Sequence, residues 1–268
     1  FRSIVNGGDF LPLVPKAVSC GDILTSDTTL DSDLTCAGTA LTIGANNIFL
    51  DCAGHTITGA GTGVGILASG KQTILIKNCI VQNFTSGIIF HLTRGQLINN
   101  TAAHNKDVGF TLLDFSNSIL TSNTAINNNG GFFLRTYSNT KLTSNTVINN
   151  SKGFVLTPSS SNNVLTSNTV INNSLGFWLL FSSNNNIIAS NTVQNNNLGI
   201  KIDSSNNNKI FNNFFNNTIN AIDNGNNFWN TTKTAGTNII DGNFLGGNFW
   251  HDYNGTDLDG DGLGDTLL

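Results

Sequence analysis

Methionine is absent from this chain, proline occurs only three times in 268 residues, and charged side chains make up only 10% of it. That charged fraction is less than half the usual ~25%. Amphipathic helices need Glu, Lys, Arg and Ala on their outer faces, so a helical bundle or coiled coil is excluded. The net charge is −4 with no cluster of Lys or Arg, which excludes a surface that tracks nucleic-acid phosphates. No run of about 20 apolar residues is present, so no segment reads as a membrane-spanning helix. The four cysteines, Cys20, Cys36, Cys52 and Cys79, fall in the first third. None forms a CxxC pair, which argues against a zinc knuckle.

Asparagine, by contrast, occurs 45 times, and it recurs in step. "LTSNTAINNNGGFFL" starts at Leu120, "LTSNTVINNSKGFVL" at Leu142, "LTSNTVINNSLGFWL" at Leu165, and a weaker copy at Ile188. The period of about 22–23 residues is that of a solenoid. An anchor Asn is read at Asn78, Asn100, Asn123, Asn145, Asn168, Asn191 and Asn213, and a second follows five places later from Asn83 to Asn196. Gly and then Phe come next in the central repeats, as in Gly131-Phe132 and Gly153-Phe154. Between these turn residues lie alternating runs of three to five residues, which is strand periodicity. Asn and Gly interrupt too often for a helix. Three short strands per coil predict a parallel β-helix, with Asn stacked amide on amide at the corners and Phe stacked inside.

The chain divides into an N-terminal extension and cap (1–37), β-helix coils (38–227), and a C-terminal aromatic cap with an Asp-rich loop (228–268). Asp51 stands 27 residues before Asn78, so the coil between is expected to carry a Gly-rich surface loop over 59–70. The segment "FLPLVP" reads as an extended strand that covers the open N-terminal edge or pairs with another molecule. A chain beginning at Phe1 without Met fits a processed, exported protein. Seven N-x-S/T sequons, at Asn83, Asn99, Asn149, Asn172, Asn216, Asn230 and Asn254, are glycosylation candidates. The expected location is extracellular or at the cell surface.

The stretch "TIGANNIFLDCAGHTITG", the "SNT…NN…GF" coils and the ending "GGNFWHDYNGTDLDGDGLGDTLL" together resemble the NosD/CASH-type right-handed parallel β-helix proteins. The resemblance implies the fold and export. It leaves activity open, because the group spans carbohydrate-acting enzymes, a copper-processing periplasmic protein and surface proteins. Copper(I) favours thiolate and thioether ligands; Met is missing, and His55, His91, His104 and His251 are scattered. Cys52 and Cys79 each follow a corner residue and should stack on adjacent coils within disulfide range, with Cys20 and Cys36 pairing across the cap. A reduced, buried cysteine column is the alternative. A lyase or hydrolase would need grouped acids and bases, whereas Asp107, Asp114 and Asp203 stand alone.

Asp257, Asp259, Asp261 and Asp265 fall at positions 1, 3, 5 and 9 of a calcium loop, with Gly262 at 6 and Leu263 supplying a carbonyl at 7. Leu268 occupies position 12, where a bidentate Glu is usual. A structural Ca²⁺ is the expected cofactor. Two functions follow. One is a non-catalytic extracellular rod that self-assembles into a surface layer, sheath or filament, its partner another copy. The other is a carbohydrate-binding or carbohydrate-processing β-helix, with Trp178, Phe181 and Phe133 as stacking rings.

Overall fold

The computed structural model describes residues 17–114, 117–136 and 139–258. It is all β: three parallel sheets form the faces of a solenoid, and each coil contributes one strand to each sheet in turn. Sheet A has ten strands, from Asp22–Leu24 to Ile219–Asp223. Sheet B has nine, from Thr28–Thr29 to Lys209–Phe211, and sheet C ten, from Leu34–Cys36 to Phe249–Trp250. At about 4.8 Å per coil the stack is about 45 Å long.

Every inward position is a column. In sheet A, Ile66, Ile88, Phe110, Phe132, Phe154, Phe177 and Ile200 align from coil to coil and are fully buried. Phe110–Phe132, Phe132–Phe154 and Phe154–Phe177 lie 4.6, 4.9 and 5.1 Å apart between ring centroids and nearly parallel, the offset stack that aromatic rings favour. Facing them in sheet C are smaller side chains, Ala102, Ala125, Val147, Val170 and Val193. The glycine before each Phe is required by close approach: a Cβ on Gly153 would overlap the carbonyl oxygen of Gly176 on the next coil.

Two features differ from the sequence expectation. Residues 22–36, read there as part of the extension, form the first coil, whose strands pair with Leu41–Ile43, Phe49–Asp51 and Thr56–Gly59. It escaped notice because its corners carry Asp and Cys in place of Asn. Residues 59–70 are not one surface loop either: Val64–Ser69 is a regular strand of sheet A, between Leu41–Ile43 and Ser86–His91. The extra residues of that coil are spread over its three corners.

Candidate functional site at the ends of the coil stack

A tight corner turns backbone N–H groups inward, away from water, and each needs an acceptor. Asn100, Asn123, Asn145, Asn168, Asn191, Asn213 and Asn248 provide it between sheets B and C. From Asn123 on, each Oδ1 accepts both the backbone N–H and the Nδ2 of the preceding Asn of the column, at 2.9–3.1 Å. Asn105, Asn128, Asn150, Asn173, Asn196 and Asn217 repeat this between sheets C and A, and Asn220, three residues on, accepts from Asn217 to close the column. A third ladder, Asn163, Asn186, Asn208 and Asn227, runs between sheets A and B. It is hard to read from the sequence because Ser118 and Thr140 hold the same column in earlier coils.

Asn78 is not a member of the first ladder. It is the left-handed residue just before it (φ 56), equivalent to Asn99 and Ser122. Cys79 occupies the ladder column in its coil, and its N–H donates to Asn100 Oδ1 at 3.1 Å. Asn83 is displaced in the same way, with Phe84 N–H donating to Asn105 Oδ1 at 3.0 Å. The "NN" pairs hide which Asn turns inward: the first takes the left-handed turn, the second the buried column. Asn99, Asn149 and Asn172, with Asn83, are thus exposed corner residues; Asn230 and Asn254 are also exposed, and Asn216 is half-buried.

Cys52 is bonded to Cys79, with Cα atoms 4.7 Å apart, and Cys20 to Cys36, at 5.5 Å. No thiol remains free. His55 Nδ1 lies 3.0 Å from Asp33 Oδ1, and His91 Nε2 3.7 Å from Asp114 Oδ2. Among the described residues, no three of His, Cys, Asp and Glu gather as metal ligands. Of the calcium-loop residues, Asp257 is exposed, and Asp259, Asp261, Leu263 and Asp265 lie outside the described residues, as do residues 1–16.

The carboxyl groups of Asp33, Asp51 and Asp203 are all shifted downward. Thr56 N–H and the His55 ring hold Asp33 below its ordinary range. Asp51 is lowered chiefly by the Asn78 amide, with help from Ala53 N–H and Lys77. Burial pushes Asp203 up, but Lys201, at 2.8 Å, and the Trp178 Nε1–H, at 2.7 Å, outweigh it and hold the carboxyl low. A proton donor working near neutral pH needs the opposite shift. Phe133 and Trp178 lie on one outward column of sheet A, with Val155 between them, and Phe181 is exposed at that sheet's edge. The ammonium groups of Lys152 and Lys201 sit 5.4 and 5.6 Å from the Trp178 centroid.

The C-terminal end is built differently from the coils. The inward column of sheet A shrinks from Phe177 to Ile200 to Ala221. Beyond it the chain turns across the end: Phe228 bridges to Lys209 of sheet B, and Phe249–Trp250 pairs with Phe214–Asn216 of sheet C. Trp250 stacks on Phe215 at 4.7 Å, and Trp229 leans on Trp250 at 5.6 Å while its Nε1–H donates to Asp223 Oδ2. Sheet A receives no such addition: among the described residues, no strand pairs with the outer edge of Ile219–Asp223. Beside that edge opens a cleft of about 1120 Å³ lined by Ala221, Asp223, Trp229, Ile239, Trp250 and Tyr253. The sequence gives no direct sign of this cleft, because its walls come from segments about 30 residues apart.

No curated protein matches the chain. Among solved structures, PfbA, a surface adhesin of Streptococcus pneumoniae, is similar with a TM-score of 0.42 at 15% identity, covering 74% of this chain. The chain spans 58% of that structure's length. The family model for NosD, periplasmic copper-binding protein, matches residues 139–255, and that for the right-handed β-helix region matches residues 35–193. With more than half of its length matched by the β-helix model, and with the coils and columns described above, the chain belongs to the right-handed parallel β-helix family.

Proposed function

We propose that this protein is a non-catalytic rod of the extracellular or periplasmic space that assembles end to end into a filament, sheath or layer. The observation that carries this reading is the position of its exposed large apolar side chains. Of the nine among the described residues, Ile219, Ile222, Phe228, Ile240 and Leu258 belong to the C-terminal end, and Ile23 to the first strand. Ile23 and Ile222 stand at opposite limits of one outward column of sheet A, which runs through Thr42, Leu67, Ile89, Thr111, Phe133, Val155, Trp178 and Lys201. An open parallel edge rimmed with apolar groups favours pairing with another edge, and a head-to-tail contact continues without closing. Two disulfides suit an oxidising compartment.

Copper handling, which the NosD description carries, finds few suitable donors. Every thiol is closed in a disulfide and Met is absent, so the soft ligands that copper(I) prefers are lacking. Glycan binding through Trp178 and Phe133 ranks second: two lysines already lie against the indole, and a sugar ring would have to displace them. The calcium loop from Asp257 to Asp265 takes a supporting role, an ion that stiffens the chain following the C-terminal cleft.

Electron microscopy and sedimentation of the intact protein over a range of concentrations test the proposal. Filaments or sheets with an axial repeat near one rod length are expected, and removal of calcium with a chelator should weaken them. Monodisperse single rods at every concentration, with calcium present, would overturn it. In that event, retention on a glycan array that is lost in Trp178→Ala would support the second reading.

A further inference from the structure

The C-terminal cleft has the form of a strand acceptor. Among the described residues no strand pairs with the outer edge of Ile219–Asp223, and its inward Ala221 leaves space where every earlier coil except the first carries a larger apolar side chain. Trp229 and Trp250 form an apolar wall beside that space, and Tyr253 and Ile239 extend it. An added strand would bond through its main chain to the edge and lay alternate side chains into the cleft.

The geometry points to residues 10–14, Phe-Leu-Pro-Leu-Val, of a second copy as the occupant of this cleft; the inference rests on the end-to-end reading and specifies its junction. Several observations single out that segment. It is an apolar run in the sequence, five residues without a charge. It precedes Asp22–Leu24, the first strand of sheet A, and so belongs to the end that meets the cleft when copies stack head to tail. The eight residues from Val14 to Asp22 span up to about 26 Å, ample to cross a junction. In strand conformation, the main-chain groups of Leu11 and Leu13 point to one side. Those of Phe10, Pro12 and Val14 point to the other, which keeps the Pro12 nitrogen, which has no proton, off the pairing edge. Lys16 follows the segment, and the cleft carries Asp223, an acid of opposite charge.

Two full-length variants test the contact, Leu13→Cys and Ala221→Cys, mixed under oxidising conditions. A disulfide-linked heterodimer that forms only in the mixture is expected, and a synthetic peptide of residues 1–16 in excess should suppress both the crosslink and assembly. Leu11→Asp with Leu13→Asp should abolish filaments while leaving the thermal transition of the single rod unchanged. Filaments that persist in that double variant, or a mixture that yields no heterodimer while filaments form, would overturn the strand contact and leave end-to-end assembly standing. Failure of the unaltered protein to assemble, together with no binding of the peptide, would remove both readings. Peptide binding without assembly would keep the acceptor and remove the filament.

Discussion

The first coils and the later ones solve the same problem with different chemistry. Both must supply acceptors to inward-turned N–H groups at each corner. From Asn100 onward the acceptors are neutral amides, fully or almost fully buried and stacked in register. Before it, exposed or half-buried carboxylates take some of the corner N–H groups, and a covalent bridge stands in the buried column. Asp33 Oδ1 accepts Thr56 N–H, Asp51 Oδ1 accepts Ala53 N–H and the Asn78 amide, and Cys52–Cys79 closes the column where Asn stands later. What differs is the response to the surroundings: the first region holds both disulfides and answers to redox state, and the second, which has no cysteine, does not.

Breaking the amide ladder should have the largest effect. Asn145→Ala leaves the buried Asn123 N–H and the Leu120 carbonyl each short of a partner, at about 4 kcal/mol in total. Coil-by-coil hydrogen exchange is expected to show protection falling on both sides of residue 145, because each coil is stabilised by its neighbours. Loss confined to one coil would show that the ladder does not couple them. Removing the 27-residue bridge with Cys52→Ala and Cys79→Ala ranks next, at about 3.5 kcal/mol in the chain-entropy picture. Here the loss should fall on residues 22–77 and spare 123–217, and a reductant should reproduce it. Equal loss in both regions would erase the distinction.

The smallest effect is that of pH. Asp33 and Asp51 are held low in the first region, and Asp203 in the second. A lowered carboxyl contributes fully above the ordinary value near 4 and loses its contribution as the pH falls through its lowered folded value. Acid should therefore weaken both regions slightly, through Asp33 and Asp51 in the first and Asp203 in the second. Hydrogen exchange near pH 3 compared with pH 6 would measure it.

Much of this was legible in the sequence wherever one residue type serves one geometric role. The Gly-Phe pairs marked the inner column of sheet A, and the recurring Asn from Asn100 to Asn213 and from Asn105 to Asn196 the first two ladders, though Asn78 and Asn83 were misplaced in them. Legibility ended where roles are shared among residue types. The first coil, with Asp33 and Cys36 at its corners, read as an extension, and the ladder through Thr140 and Asn163 passed unnoticed. The C-terminal end was least legible, since Trp229, Trp250 and Ala221 meet only through the pairing of strands far apart in sequence.

The ladders also give the rod an electrical direction. Backbone hydrogen bonds between coils run both ways along the axis and largely cancel, as Asn99 N–H to Thr121 and Thr101 N–H to Cys79 illustrate. The side-chain amides of the columns link in one direction, each Nδ2 donating one N–H to the Oδ1 of the next Asn, although in the first two columns its other N–H returns to a carbonyl of the coil before. Aligned bonds of this kind polarise one another, so the donor end of each column carries a partial positive charge. Two of the three columns finish on a carboxylate there, Asn220 Nδ2 on Asp252 at 2.7 Å and Asn227 Nδ2 on Asp223 at 2.9 Å. The molecule is thus a polar wire with a neutralised tip. Copies laid head to tail add their dipoles in series, and copies laid head to head oppose them.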